Sequence, residues 1–87
     1  MNLSELQQRY RERLFARIEA LARAIRERDA VDDVMRQFHS IAGIAGTIGY
    51  DQATTIALEA ERQCAHDPVD FELLGEFVPM LAAAIRA

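Results

Sequence analysis

Apolar residues recur at three- and four-residue spacing through four successive segments of this chain, and that period admits amphipathic helices and little else. The spacing predicts a first helix from about Leu6 to Arg28, with Leu6, Tyr10, Leu14, Ile18, Leu21 and Ile25 on one stripe. Ser4, with Gln7 three residues on, is placed to form a capping box at its start. A second helix runs from about Val31 to Ile48 on Val31, Val34, Met35, Phe38, Ile41, Ala42, Ala45 and Ile48, and Gly49 stands just past its end, where positive φ is often required. A third begins near Asp51, a natural N-cap, and continues to about Ala65 with Ala53, Ile56, Ala60 and Cys64 inward. The fourth follows Asp67-Pro68, where Asp can cap and Pro suits the first helical position, and carries Phe71, Leu74, Val78, Leu81 and Ile85. Pro79 within it is expected to bend or break the helix.

Connections this short force neighbouring helices to run antiparallel, so the expected fold is all-α, an up-down-up-down four-helix bundle forming one domain over residues 1–87. A chain of 87 residues supports one core and leaves no room for a nucleotide-cradling enzyme, so any chemistry sits on a surface. The single cysteine, Cys64, has no internal disulfide partner, and Met1 to Leu6 lack the apolar stretch of a secretory signal. The cytoplasm is therefore the default location. No apolar run approaches the length of a bilayer, so no direct membrane contact is expected.

Charge is unevenly placed on this acidic chain of net charge −4: residues 1–28 hold seven Arg against four Glu, and residues 29–87 hold three Arg against ten acids. Glu5 with Arg9 and Glu19 with Arg23 stand four apart and can bridge across a turn, which makes the first helix a solvated face rather than a nucleic-acid surface. Asp32 and Asp33 suit the positive end of the second helix's dipole. Cys64 and His66 fall well short of a zinc ligand set, so Cys64 reads as a buried small hydrophobe. Tyr10 and Tyr50 read as packing residues with a wet hydroxyl.

The second helix carries the chemically informative residues. Taking about 100° per residue with Phe38 at zero, the apolar positions cluster within roughly 80° of it, and His39 falls about 100° away, at the edge of the buried stripe. Beside it lie Gly46, Asp32, Gly43 and Arg36, at about 80°, 120°, 140° and 160°. Each glycine weakens a helix by up to about 1 kcal/mol relative to Ala, so two on one side of a histidine need a reason. One is access for another protein's surface to the imidazole; the other is close packing of a neighbouring helix.

The stretch Phe38-His39-Ser40-Ile41-Ala42-Gly43-Ile44-Ala45-Gly46-Thr47-Ile48-Gly49 resembles the signature of histidine-containing phosphotransfer (HPt) domains. That signature is His, any residue, Leu, Lys, Gly, any residue, Ala or Ser, three residues, Gly. The matching positions are His39, Ile41 in place of the Leu, Gly43, Ala45 and Gly49, and Ala57-Leu58-Glu59-Ala60-Glu61 is similar to the family's third helix. The likeness spans most of the chain. It departs at the family's lysine, which is Ala42 here, in a chain with no lysine anywhere. Arg36, one turn before His39, is the candidate substitute beside the phosphate, since Arg also binds phosphate well.

The resemblance implies that His39 accepts a phosphoryl group from the aspartyl phosphate of a response-regulator receiver domain and passes it to another receiver. Phosphoryl transfer needs in-line positioning and charge neutralisation, and the sequence has neither a phosphate-cradling Gly loop nor a clustered acidic metal site. The partner, a receiver or a sensor histidine kinase, is expected to supply both, with Mg²⁺ on the receiver. No cofactor or metal is then expected on this chain, which acts as a monomeric carrier rather than an enzyme. Met35, Gly43, Ile44 and Gly46 are the candidate docking residues. Two other readings remain open: a degenerate bundle of this type that binds a receiver or kinase without carrying phosphate, and a plain dimerisation module.

Overall fold

The computed structural model describes residues 2–86 and contains four helices, α1 (Leu3–Arg26), α2 (Val31–Thr47), α3 (Asp51–Gln63) and α4 (Phe71–Arg86). Each packs on its neighbours in sequence and α1 closes the ring against α4, so α1 faces α3, and α2 faces α4, across the diagonals of an up-down-up-down bundle. The bundle measures 43 × 19 × 19 Å, its long axis set by α1. No described helix is long and apolar enough to cross a membrane.

Most of the expected stripe residues form the core; Leu6, Tyr10, Val31, Met35, Ile56, Phe71 and Val78 are only half-buried beside it, and on α3 the neighbouring Ala57 takes the inward place expected of Ile56. Leu14, Ile18, Leu21 and Ile25 of α1, Val34, Phe38, Ile41 and Ala45 of α2, Ala53, Ala57 and Ala60 of α3, and Leu74, Leu81 and Ile85 of α4 are all buried. No polar or charged side chain is buried among the described residues. Phe38 meets Phe77 across the α2–α4 diagonal edge to face, with ring centroids 6.4 Å apart. The α2–α3 contact is the most intimate, because Ala42, Ala45, Ala53, Ala57 and Ala60 place small side chains where the two helices meet.

Local chemistry redraws several helix ends. α1 starts at Leu3 rather than Leu6: the Asn2 side chain accepts a hydrogen bond from the Glu5 amide at 2.9 Å, so Asn2, not Ser4, is the N-cap. At the other end Arg28 takes a positive φ of 52° and the Asp29 amide donates to the Ala24 carbonyl at 3.0 Å, which stops α1 two residues before Arg28. Gly49 plays the expected part after α2, with φ 83° and the Tyr50 amide donating to Ala45 at 2.8 Å. Asp51 is the first residue of α3 instead of its cap, and the cap position, Tyr50, makes no side-chain capping bond. Likewise α4 is capped by Asp70, whose carboxylate accepts from the Leu73 amide at 3.0 Å, while Asp67-Pro68 lies in the preceding turn. α4 continues through Pro79 without a break.

The surface pairing expected on α1 does not form. Neither Glu5 with Arg9 nor Glu19 with Arg23 is an ion pair; several arginines of α1 turn to other partners. Arg11 donates to the Tyr50 hydroxyl, Arg17 donates to Ser40, and Arg13 lies over the Tyr10 ring. An exposed i,i+4 pair contributes only about 0.5 kcal/mol, too little to hold two long solvated side chains together.

Candidate functional site

His39 stands on the outward edge of α2 with its side chain 72% exposed, where the helical angle places it. Its Nδ1 lies 3.0 Å from Oε1 and 3.2 Å from Oε2 of Glu61, a residue of α3 that is 27% exposed. The register of the helical hairpin explains the meeting. Gly46 sits against Thr54, whose hydroxyl oxygen would lie 3.5 Å from a Cβ at Gly46, and two turns back along α2 and two forward along the antiparallel α3 lead to His39 and Glu61. Glu59 is held instead by Arg62 and by Gln63, which keeps it on the outer side of α3.

This anchor has a chemical consequence. In a neutral imidazole, donation of Nδ1–H to a carboxylate fixes the tautomer and leaves Nε2 with a free lone pair. The two ring nitrogens point in divergent directions, so holding Nδ1 toward α3 turns Nε2 away from Glu61. The ring is thereby anchored on its α3 side, with the Glu61 carboxylate behind it.

The two glycines have different surroundings. A Cβ at Gly43 would meet nothing within 4 Å, so this position leaves open space one turn after His39, as the access reading requires. Gly46 faces Thr54 on the α3 side, where closeness to a neighbouring helix is the better description. Of the other docking candidates, Ile44 is half-buried and lines a groove of about 420 Å³ between α1 and α2, together with Leu6, Tyr10, Ile48, Gly43 and the rim residues Arg13 and Arg17. Met35 is half-buried against the core.

Three positions set the charges near the site. Ala42 is 4% exposed, and its carbonyl accepts from the Thr54 hydroxyl at 3.4 Å, so α2 offers no cation at that position. Arg36 is exposed and pairs with Asp33 at 3.1 Å. Arg17, from α1, donates to the Ser40 hydroxyl at 3.1 Å, on the residue next to His39. Neither Glu61 nor Arg17 was singled out from the sequence. A signal for Glu61 exists in retrospect: a short loop centred near Gly49 and Tyr50 pairs residues whose numbers sum to about 100, which sets His39 opposite Glu61. Arg17 has no such signal, because the rotation of α1 against α2 is not written in either helix alone.

Elsewhere, Cys64 is buried and its thiol titrates above the usual range, first because burial disfavours the thiolate and second because Glu61 lies near. No three His, Cys, Asp or Glu side chains converge on a metal-binding arrangement among the described residues.

An exposed helical histidine, tied through Nδ1 and followed by an open glycine, sits in a sequence that matches the family model of the Hpt domain over residues 5–87. The chain belongs to the Hpt domain family. Hpt domains are phosphocarrier modules of two-component signalling rather than catalysts, and they work with receiver domains and kinases in phosphorelays. Neither the curated proteins nor the solved structures gave a match to this Hpt domain.

Proposed function

We propose that this Hpt domain carries a phosphoryl group on Nε2 of His39, taking it from the aspartyl phosphate of a receiver domain and returning it to the aspartate of another. The observation that carries this reading is the hydrogen bond between His39 Nδ1 and Glu61, which leaves the opposite ring nitrogen exposed and nucleophilic. In the transfer, the Nε2 lone pair forms the N–P bond while the P–O bond to the receiver's carboxylate breaks, and that carboxylate leaves with the electron pair. Positive charge building on the ring is shared with Nδ1–H and faces the Glu61 carboxylate. The proton on Nδ1 stays where it is. Mg²⁺ and in-line alignment come from the receiver, in the cytoplasm, and the domain acts as a monomer.

The receiver seats over the open side of α2. Gly43 gives it close approach, and Ile44 with the groove beside it gives apolar contact; Met35 and Gly46 extend the face toward α3. Arg36 stands beside the phosphate, released from Asp33 as the more highly charged phosphoryl group competes for it. Incubation with a phosphorylated receiver is expected to label the protein in an acid-labile, base-stable way, and His39→Gln to abolish the label. A label that persists in that variant would overturn the assignment. Buried, uncharged Ala42 supports a second reading, a bundle that binds a receiver and carries nothing. Receiver binding without any label on the wild type would establish it.

A further inference from the structure

A phosphoryl group on His39 brings close to two negative charges to a site where the one positive charge of the ring is already matched by its anchored partner, the Glu61 carboxylate. Coulomb repulsion between them must be offset for the phosphorylated form to accumulate. The offset has to come from the side toward which Nε2 turns, away from α3. On that side α2 contributes Arg36, already held by Asp33. Ala42, buried against α3, contributes nothing.

We propose that Arg17, reaching across from α1, is the residue that positions and neutralises the phosphoryl group on His39. Three observations place it there. Its guanidinium lies 3.1 Å from Ser40 Oγ, and Ser40 is the next residue of α2 after His39, one helical step of about 100° toward α1. Its partner there is a neutral hydroxyl, and no carboxylate among the described residues lies within ion-pair distance of it, so the charge is uncommitted. It also borders two depressions, the groove that Gly43 helps to line and a second one shared with Arg36, Gln37 and Ser40. A phosphoryl group rising from His39 over the open space at Gly43 is thus met by Arg17 from one helix and Arg36 from the other. Arginine suits the task, because its fork can bind two phosphate oxygens at once and its long stem pivots from Ser40 without moving α1.

The inference rests on His39 being the phosphorylated residue, and the test separates the two. Phosphoramidate serves as a receiver-independent donor: Nε2 attacks phosphorus, the P–N bond of the donor breaks, and ammonia leaves with the electron pair. Arg17→Gln keeps a donor for Ser40 but removes the charge; Arg17→Lys keeps the charge. In Arg17→Gln the labelling rate is expected to fall roughly fivefold, the scale of an exposed charge contact. The ³¹P signal of its phosphohistidine should also titrate at higher pH than in the wild type, because a nearby cation favours the dianion. Arg17→Lys should recover most of both effects, which a merely structural loss would not do. Equal rates and equal ³¹P titrations in all three proteins would overturn the role of Arg17 while leaving His39 as the carrier. A wild type that never shows a phosphohistidine signal would overturn both.

Discussion

Nδ1 of His39 and the carboxylate of Glu61 lie 3.0 Å apart across the α2–α3 contact, two helical turns from the point where Gly46 meets Thr54. The imidazole is therefore oriented by the closest helix–helix contact in the bundle, the one built on alanines. An exposed histidine free of such an anchor would sample several rotamers and both tautomers. Here one nitrogen is committed and the other is offered.

Replacing Glu61 by Gln removes the charge behind the ring while keeping the shape. Phosphoramidate labelling of His39 is expected to slow about tenfold, in line with the loss of a hydrogen bond to a charged group. The melting temperature should barely move, since a partly exposed pair of this kind contributes little to stability. Labelling at the wild-type rate would show that the anchor has no chemical part.

Gly43→Ala separates folding from docking. Nothing stands within 4 Å of the added Cβ, so the better helix former should stabilise the domain by up to about 1 kcal/mol, a rise of several degrees in Tm. Transfer from a phosphorylated receiver should nevertheless slow, and phosphoramidate labelling should not. A variant that is stabilised and equally fast with both donors would remove Gly43 from the docking face.

Gly49→Ala should act in the opposite sense. Its φ of 83° disfavours any side chain, and the new Cβ would also press on Leu3. A loss of about 1–2 kcal/mol in urea unfolding is expected, with the linker between α2 and α3 as the cause.

Phe38→Ala tests the core beneath the site. It empties a fully buried position and removes the edge-to-face contact with Phe77, at an expected cost of about 3–5 kcal/mol. A loss below about 1 kcal/mol would mean that the α2–α4 diagonal is not packed as described.

The raised titration of Cys64 has a definite sign. The folded thiol holds its proton to higher pH than the unfolded one, so its contribution to stability is fully present below the unfolded value and is lost as pH rises through the folded one. Urea midpoints measured into the alkaline range should fall more steeply for the wild type than for Cys64→Ala. Parallel curves would contradict the burial of this thiol.

The sequence by itself determined the helices, their inward stripes and the outward edge on which His39 stands. Each depends on a period of 3.6 residues that the core enforces and that any single helix displays. It also carried the family pattern around His39 and the positive φ at Gly49. Tertiary structure decided the partners. Glu59 and Glu61 both stand on α3, yet only the register of α3 on α2 gives Glu61 to the imidazole and leaves Glu59 to Arg62 and Gln63. Arg36 and Arg17 are both arginines near the site, and the rotation of α1 against α2 sets Arg17 on Ser40 while Arg36 folds back on Asp33. Asn2 and Ser4 competed in the same way for the start of α1. Such alternatives differ by about 1 kcal/mol or less in any isolated helix, too little for local sequence to choose between them, and the packed register supplies the difference.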